Sequence, residues 1–299
     1  MRDLLLFFRL LFHTVEDALT GWWANEAPRL AAAVAFYTVF SLAPLVIIAV
    51  AIAGAVFGAA AAQGQIVSHI EELVGRDAAG VIQSILVSAR ASHSGWLAAV
   101  VSSIVLLVGA TGVFTELQHD LNRVWGVRSP GSIKSVIRTR LISFFIVLGC
   151  GAVLIAALLV NAGLTIAVAY LGDTIPVIDF FFFLVNVVLP FAVITALFAM
   201  FYKVLPDVSI GWAAAWVGAL ITALLFVLGN YLLSFYLSRG AIRSAYGAAG
   251  SFVVFLVWIY YSAQIFFFGA EVTHAYTKAA GIRFAPLHGA VPVDGKEKR

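Results

Sequence analysis

Two Glu-x-x-His pairs are the residues of this chain best suited to metal chemistry. They are Glu116 with His119 and Glu271 with His274. A residue and the third residue after it share a helix face, and Glu-x-x-His motifs on facing helices hold the ions of di-metal carboxylate bundles. The alternative is that each pair is a solvated polar cluster near a membrane boundary. We favour the alternative, because the six histidines are otherwise scattered, and we predict no metal site and no cofactor.

A second set of polar residues follows one face of the last apolar stretch. Tyr260, Gln264, Glu271 and His274 have spacings that place them together on a helix. A polar side chain in a membrane-spanning helix is costly unless it faces protein or water. We therefore expect these side chains to face the interior of a helical bundle, with Asn230 as the candidate hydrogen-bond partner of Tyr260 and Gln264.

Two prolines, Pro44 and Pro190, interrupt other apolar stretches near their middles. Proline removes one helical hydrogen bond, and paired breaks in corresponding helices mark the substrate site of many transporters. The alternative is that prolines are common in spanning helices. The transporter interpretation predicts a polar cavity lined by Tyr37, Ser41, Pro44, Asn186, Pro190, Asn230, Tyr260, Gln264 and Glu271.

Composition decides the class of protein that must position these residues. Hydrophobic residues make up 63% of the 299 positions and charged residues 11%, whereas soluble domains carry about 25% charged residues. We predict an all-α integral membrane protein with six transmembrane helices, at about 31–58, 96–115, 141–171, 180–202, 212–237 and 246–276. The single Cys150 excludes an intrachain disulfide.

The two ends of the chain differ from this membrane domain, which we place at residues 29–280. Within residues 1–28, polar positions recur every three or four residues opposite an apolar face. This pattern predicts an amphipathic helix that lies in the membrane interface. Residues 281–299 are polar and are predicted to be a disordered cytoplasmic tail.

Charge gives the orientation. Six spans place both termini on one side, and fourteen of the 18 Lys and Arg residues fall on that side. The positive-inside rule then predicts that both termini are cytoplasmic. Anionic lipid headgroups are the partners expected at the basic loop between the second and third spans. We expect no nucleic-acid partner, because basic and aromatic residues do not interleave, and assembly with further copies of the chain stays an open alternative.

Three blocks of sequence resemble the YihY/BrkB family of bacterial inner-membrane proteins. The first is residues 31–44, AAAVAFYTVFSLAP; the second is Gly112-Val113-Phe114, Leu117-Gln118, Leu121-Asn122 and Trp125-Gly126-Val127; the third runs from Tyr202 and Leu205-Pro206 to Gly269-Ala270-Glu271. The resemblance implies six spanning helices and an inner-membrane location. Some members have been mislabelled ribonuclease BN, others are named for virulence, and lipid or solute movement has been suggested. The family offers no agreed catalytic residues, so we assign none.

Three functions are compatible with these residues. The first is a transporter or lipid-translocating protein with a polar cavity in the helix bundle. The second is a structural or scaffolding membrane protein without transport. The third, ranked last, is a membrane-bound tRNA-processing ribonuclease, since metal-dependent hydrolysis needs clustered ligands that the sequence does not group together. We therefore predict a protein of the bacterial inner membrane that interacts with membrane lipids and is not an enzyme.

Overall fold

The computed structural model describes residues 2–41, 112–129, 187–238, 250–287 and 289–293, together with residues 80, 83, 87, 141, 149 and 163. The helices are α1 (Arg2–Ala24), α2 (Leu189–Val204), α3 (Trp212–Ser238) and α4 (Gly250–Ala279). Residues 27–41 and 112–124 are also helical. The predicted spans at 96–115 and 141–171 lie mostly outside the described residues, and Pro44 and Asn186 lie outside them entirely.

The chain forms two compact units. Unit 1 comprises Met1–Asn25, Gln118–Leu224 and Phe268–Arg299, and unit 2 comprises Glu26–Leu117 and Leu225–Phe267. The long helices α3 and α4 contribute residues to both units.

Helix α3 has its small residues inside and its large apolar residues outside. In unit 1, Ala215, Ala219 and Ala223 are buried, whereas Trp216 and Leu220 are exposed. A soluble helix would bury the large side chains. Small residues at helix contacts and large apolar residues on the outer face are typical of membrane helices, where lipid replaces water.

Two helices in the described part of the chain are long and apolar enough to cross a membrane. They are Trp212–Leu233 and Phe252–Ala279, and α2 is a shorter apolar helix. These helices agree with the predicted fifth and sixth spans, whereas the total of six stays a prediction. Their length of 22 and 28 residues compares with the roughly 20 residues that a bilayer requires.

In unit 1, α1 packs on α4 through small side chains. Ala18 contacts Val272 and Ala275 and is fully buried. Thr14, one turn earlier, is also buried, while Leu19 is 53% exposed. The helix therefore has a small-residue face that packs on protein, which the prediction of an interfacial amphipathic helix did not include.

A short antiparallel sheet joins the C-terminal segment to the loop after residue 124. Strand β1 (Val127–Arg128) pairs with β2 (Val291–Pro292), and the Val293 amide donates to the Gly126 carbonyl at 2.9 Å. Gly126 has φ of 63°, which favours glycine. The all-α prediction omitted this sheet. The prediction of a disordered tail was wrong for residues 285–287 and 291–293, because backbone hydrogen bonds hold both segments.

In unit 2, the helical residues 27–41 pack against the first half of α4. Ala35, Phe255 and Ile259 form a buried cluster, with Tyr260 packed against it. A Cβ at Gly112 would lie 2.7 Å from Cδ1 of Tyr37, so the Tyr37 ring lies directly over that glycine. The first two sequence blocks therefore meet at this contact.

Candidate functional site

A buried carboxylate, Asp207, gathers three side chains of unit 1. Its Oδ2 accepts hydrogen bonds from Gln118 Nε2 at 3.2 Å, from Asn122 Nδ2 at 2.9 Å and from the Ser129 hydroxyl. The Asp207 amide donates to Asn122 Oδ1 at 2.7 Å. We call these four residues the Asp207 network. Neutral donors of this kind stabilise a charge that burial would otherwise disfavour.

The Asp207 network is assembled from two of the sequence blocks. Gln118 and Asn122 lie one turn apart on one helix, and Asp207 lies in the loop between α2 and α3. The amide of Leu287 donates to the Asp207 carbonyl at 2.8 Å, so the C-terminal segment also joins this loop. Sequence reasoning missed Asp207. The signal was available, since two amide side chains one turn apart need an acceptor and Asp207 follows Leu205-Pro206 directly.

A second buried carboxylate, Glu271 on α4, joins that helix to the end of α1. Asn25 Nδ2 donates to Glu271 Oε1 at 2.6 Å, and Glu271 is 3% exposed. A Cβ at Gly21 would overlap the Glu271 carboxylate, so the carboxylate packs directly on that glycine of α1. The arrangement holds a carboxylate between two helices, as expected for a polar group inside a membrane bundle.

The residues of the Glu-x-x-His pairs in unit 1 have separate surroundings. The His119 side chain is 71% exposed, 3.4 Å from Asp120, whereas the His274 ring packs edge-on against Trp125 with centroids 5.0 Å apart. Glu116 belongs to unit 2. Among the residues that the structure describes, no group of three or more His, Cys, Asp or Glu side chains could hold a metal.

The residues predicted to line a polar cavity are distributed over both units. In unit 2, Ser41 is buried and donates to the Thr38 carbonyl at 3.0 Å. Asn230 accepts from Trp258 Nε1 at 2.8 Å, where we had expected Tyr260 or Gln264 as its partner. Tyr260 and Gln264 are half-buried.

Pro190 of unit 1 lies in the first turn of α2, after a π-helical turn at residues 187–188, and is exposed. The helix is thus irregular where the proline was predicted to interrupt it. Tyr37 of unit 2 is 37% exposed. The predicted cavity itself stays a prediction, since its lining residues fall partly outside the described ranges.

An apolar groove runs between α2 and α3 in unit 1. Its volume is about 400 Å³, and it is lined by Phe191, Ala192, Thr195, Trp216, Val217 and Leu220. The Thr195 hydroxyl donates to the Phe191 carbonyl at 2.7 Å, so the one polar side chain of the lining is satisfied within its own helix. The groove can therefore accept an apolar chain without leaving a polar atom unpaired.

The sequence did not predict the apolar groove. Its signal is the row of large residues Trp212, Trp216, Leu220 and Leu224, four apart and all exposed, opposite a row of alanines and glycine. Such a row shows which side of a helix lies away from the bundle. It does not show that the neighbouring helix leaves a gap.

Comparisons with known proteins agree on the family. The sequence model of the family described as Virulence factor BrkB matches residues 18–291, from α1 to β2. A UPF0761 membrane protein of Pseudoalteromonas translucida is 27% identical over 91% of both chains. No solved structure matches the chain.

Two other relatives are longer than this chain. The UPF0761 membrane protein of Alcanivorax borkumensis is 31% identical over 59% of this chain and 40% of its own length. That of Verminephrobacter eiseniae is 29% identical over 87% of this chain and 61% of its own length. The chain spans less than two thirds of both relatives. The resemblance found in the sequence is confirmed: the chain belongs to the virulence factor BrkB family and is a membrane protein.

Proposed function

We propose that this protein translocates lipids across the bacterial inner membrane. The apolar groove is the observation that carries the proposal. It opens between α2 and α3 beside the exposed row of α3, which consists of large apolar side chains. On a membrane helix such a row contacts lipid tails, so the groove is open to an acyl chain from the bilayer.

Size and chemistry support an acyl chain as the occupant. Pockets that bind small molecules measure about 300–1,000 Å³ and are mostly apolar, and the groove is within that range at about 400 Å³. Translocation also requires a path for the headgroup. The polar residues predicted to face the bundle interior, including Tyr260 and Gln264, are the candidates for that path. The proposal includes no enzymatic step.

The proposed orientation places both termini in the cytoplasm. It follows from the bias of Lys and Arg along the sequence. Reporter fusions after Ser129 and in the C-terminal tail should give a cytoplasmic signal, whereas fusions near Gly80 and Gly172 should give an external one. A cytoplasmic signal near Gly80 would overturn the six-span topology.

Lipid translocation can be measured with purified protein in vesicles that carry a fluorescent phospholipid. Leu220→Trp places a larger ring in the open groove, where it occupies volume that an acyl chain would otherwise fill. We therefore expect translocation to slow about tenfold. Leu224→Trp is the matched control, because Leu224 is exposed on the same helix, 53% against 52% for Leu220, and is not part of the groove lining.

The vesicle measurement has one outcome that supports lipid translocation through the groove and two that contradict it. Slow translocation by Leu220→Trp alone supports the proposal. Vesicles with the unmodified protein that behave like empty vesicles contradict it. Equal loss in both variants also contradicts it, because the groove would then have no special role.

A scaffolding role is the second candidate, and the Asp207 network favours it. Three buried side chains and the half-buried Ser129 meet there with satisfied hydrogen bonds, an arrangement that is typical of a rigid element. A protein with this role would fail the vesicle assay while remaining necessary for the assembly of its partners.

A further inference from the structure

We propose that the cytoplasmic end of the apolar groove holds the headgroup of an anionic phospholipid, with Lys203 and Trp212 as the headgroup site. The inference rests on one part of the proposed function, that the apolar groove holds an acyl chain, and it names the class of that lipid. It is independent of whether the lipid is moved across the bilayer.

The first support is the contact between Lys203 and Trp212. Lys203 lies in the last turn of α2, and its ammonium is 5.8 Å from the centroid of the Trp212 ring at the start of α3. The same ammonium donates to the Ile210 carbonyl. An ammonium carries three donors, so a phosphate can be bound while the Ile210 bond is kept.

The second support is the position of this pair along the two helices. Lys203 is eight residues beyond Thr195 on α2, and Trp212 is eight residues before Leu220 on α3. At 1.5 Å per residue, both steps are about 12 Å along the helix. Lys203 and Trp212 therefore lie at similar distances from the groove along their two helices. A lipid with its tail in the groove would have its headgroup at this end.

The row between the two positions is continuous. Trp212, Trp216 and Leu220 are each four residues apart and exposed, so they form one ridge from the ammonium to the groove. Trp212 and Trp216 suit the headgroup level of a membrane, where tryptophan is enriched. An acyl chain can follow this ridge into the groove without crossing a polar group.

The Lys203 ammonium supplies a positive charge at the site. Asp207, the acidic residue closest to Lys203 in the sequence, is fully buried and its carboxylate is bonded within the Asp207 network. In the proposed orientation Lys203 lies at the cytoplasmic surface, where anionic lipids attract basic side chains. A zwitterionic headgroup would gain less from a single ammonium.

The test compares two lipids with identical chains, phosphatidylglycerol and phosphatidylcholine, bound to the purified full chain and counted by native mass spectrometry. We expect phosphatidylglycerol to be retained about fivefold better, the preference that one basic side chain gives near an anionic surface. Lys203→Gln should abolish the preference, and Lys203→Arg should keep it.

Lys278→Gln is the matched control. Lys278 also lies in the last turn of an apolar helix, α4. The substitution Lys278→Gln therefore removes the same charge from a comparable position. Leu220→Trp should lower retention of both lipids equally. Thermal unfolding of each variant, which should be unchanged, shows that the comparison is between folded proteins.

Three results would overturn the inference: equal retention of the two lipids, a preference that survives Lys203→Gln, or an equal loss in Lys203→Gln and Lys278→Gln. If the preference fails while Leu220→Trp still slows translocation, the headgroup site is wrong and the proposed function stands. If the preference holds and the vesicles show no translocation, the site stands and the protein binds lipid without moving it.

Discussion

The Asp207 network includes the loop that joins α2 to α3, and the apolar groove lies between these two helices, yet the two regions have opposite chemistry. In the network, a fully buried carboxylate has neutral donors from distant segments. In the groove, large apolar side chains are exposed, and the Thr195 hydroxyl beside them already donates to the Phe191 carbonyl. The difference indicates which property of the protein a substitution in each region should alter. Substitutions in the network should alter stability, and substitutions in the groove should alter lipid handling.

Asp207→Ala should have the largest effect on stability. It removes the carboxylate oxygen that accepts from Gln118, Asn122 and Ser129, and each lost hydrogen bond costs about 1 kcal/mol. We expect the free energy of unfolding in detergent to fall by about 3 kcal/mol. Asp17→Ala, which removes an exposed carboxylate from α1, should change it by less than about 0.5 kcal/mol.

A loss after Asp207→Ala no larger than that of the Asp17 control would break the comparison, because the network would then be an ordinary polar surface. Ser129→Ala sharpens it. This change removes one donor and keeps the acceptor, so the loss should be smaller, about 1 kcal/mol.

Gly269→Ala should have an intermediate effect. A Cβ at this position of α4 would overlap the hydroxyls of Thr222 and Tyr202, which are bonded to each other at 2.9 Å. Overpacking costs about 1–3 kcal/mol, and the loss should appear as a lower thermal midpoint. Gly211→Ala is the control, because a Cβ there would meet its nearest neighbour, Ile282, at 3.9 Å. Equal midpoints for the two variants would mean that α3 and α4 can separate without penalty.

Asn230→Leu should have the smallest effect. It removes the acceptor of Trp258 in unit 2, and hydrogen bonds between membrane helices are worth about 0.6 kcal/mol on average. Trp258→Phe should produce a similar loss, and the double variant should lose no more than either single variant if the bond is the cause. Additive losses in thermal unfolding would show that the two side chains act separately.

The sequence predicted the parts of the fold that depend on local patterns. Long apolar stretches predicted α3 and α4, and the polar stripe of the last stretch predicted that Glu271 faces the interior of the bundle. Residues far apart in the chain were beyond such patterns: Asn25, the partner of Glu271, lies 246 positions away, and Asp207 lies in a loop whose path no periodicity describes.

The apolar groove and the small face of α1 were missed for a related reason. Hydrophobic periodicity separates polar from apolar positions, but inside a membrane both the lipid face and the packed face are apolar. The packed face and the lipid face differ instead in the size of their side chains. On α1, the small Ala18 is 0% exposed and the larger Leu19 is 53% exposed. A pattern of small against large residues would have identified both faces.

The contact between Asn25 and Glu271 has a consequence for biosynthesis. A ribosome delivers the N-terminal end first, so α1 is made long before the helix that it packs against. The Asn25 amide and the Gly21 surface must wait until Glu271 has entered the membrane. Closure of this end is therefore a late event of assembly, and a nascent chain cut before α4 presents the unprotected small face of α1 to membrane quality control.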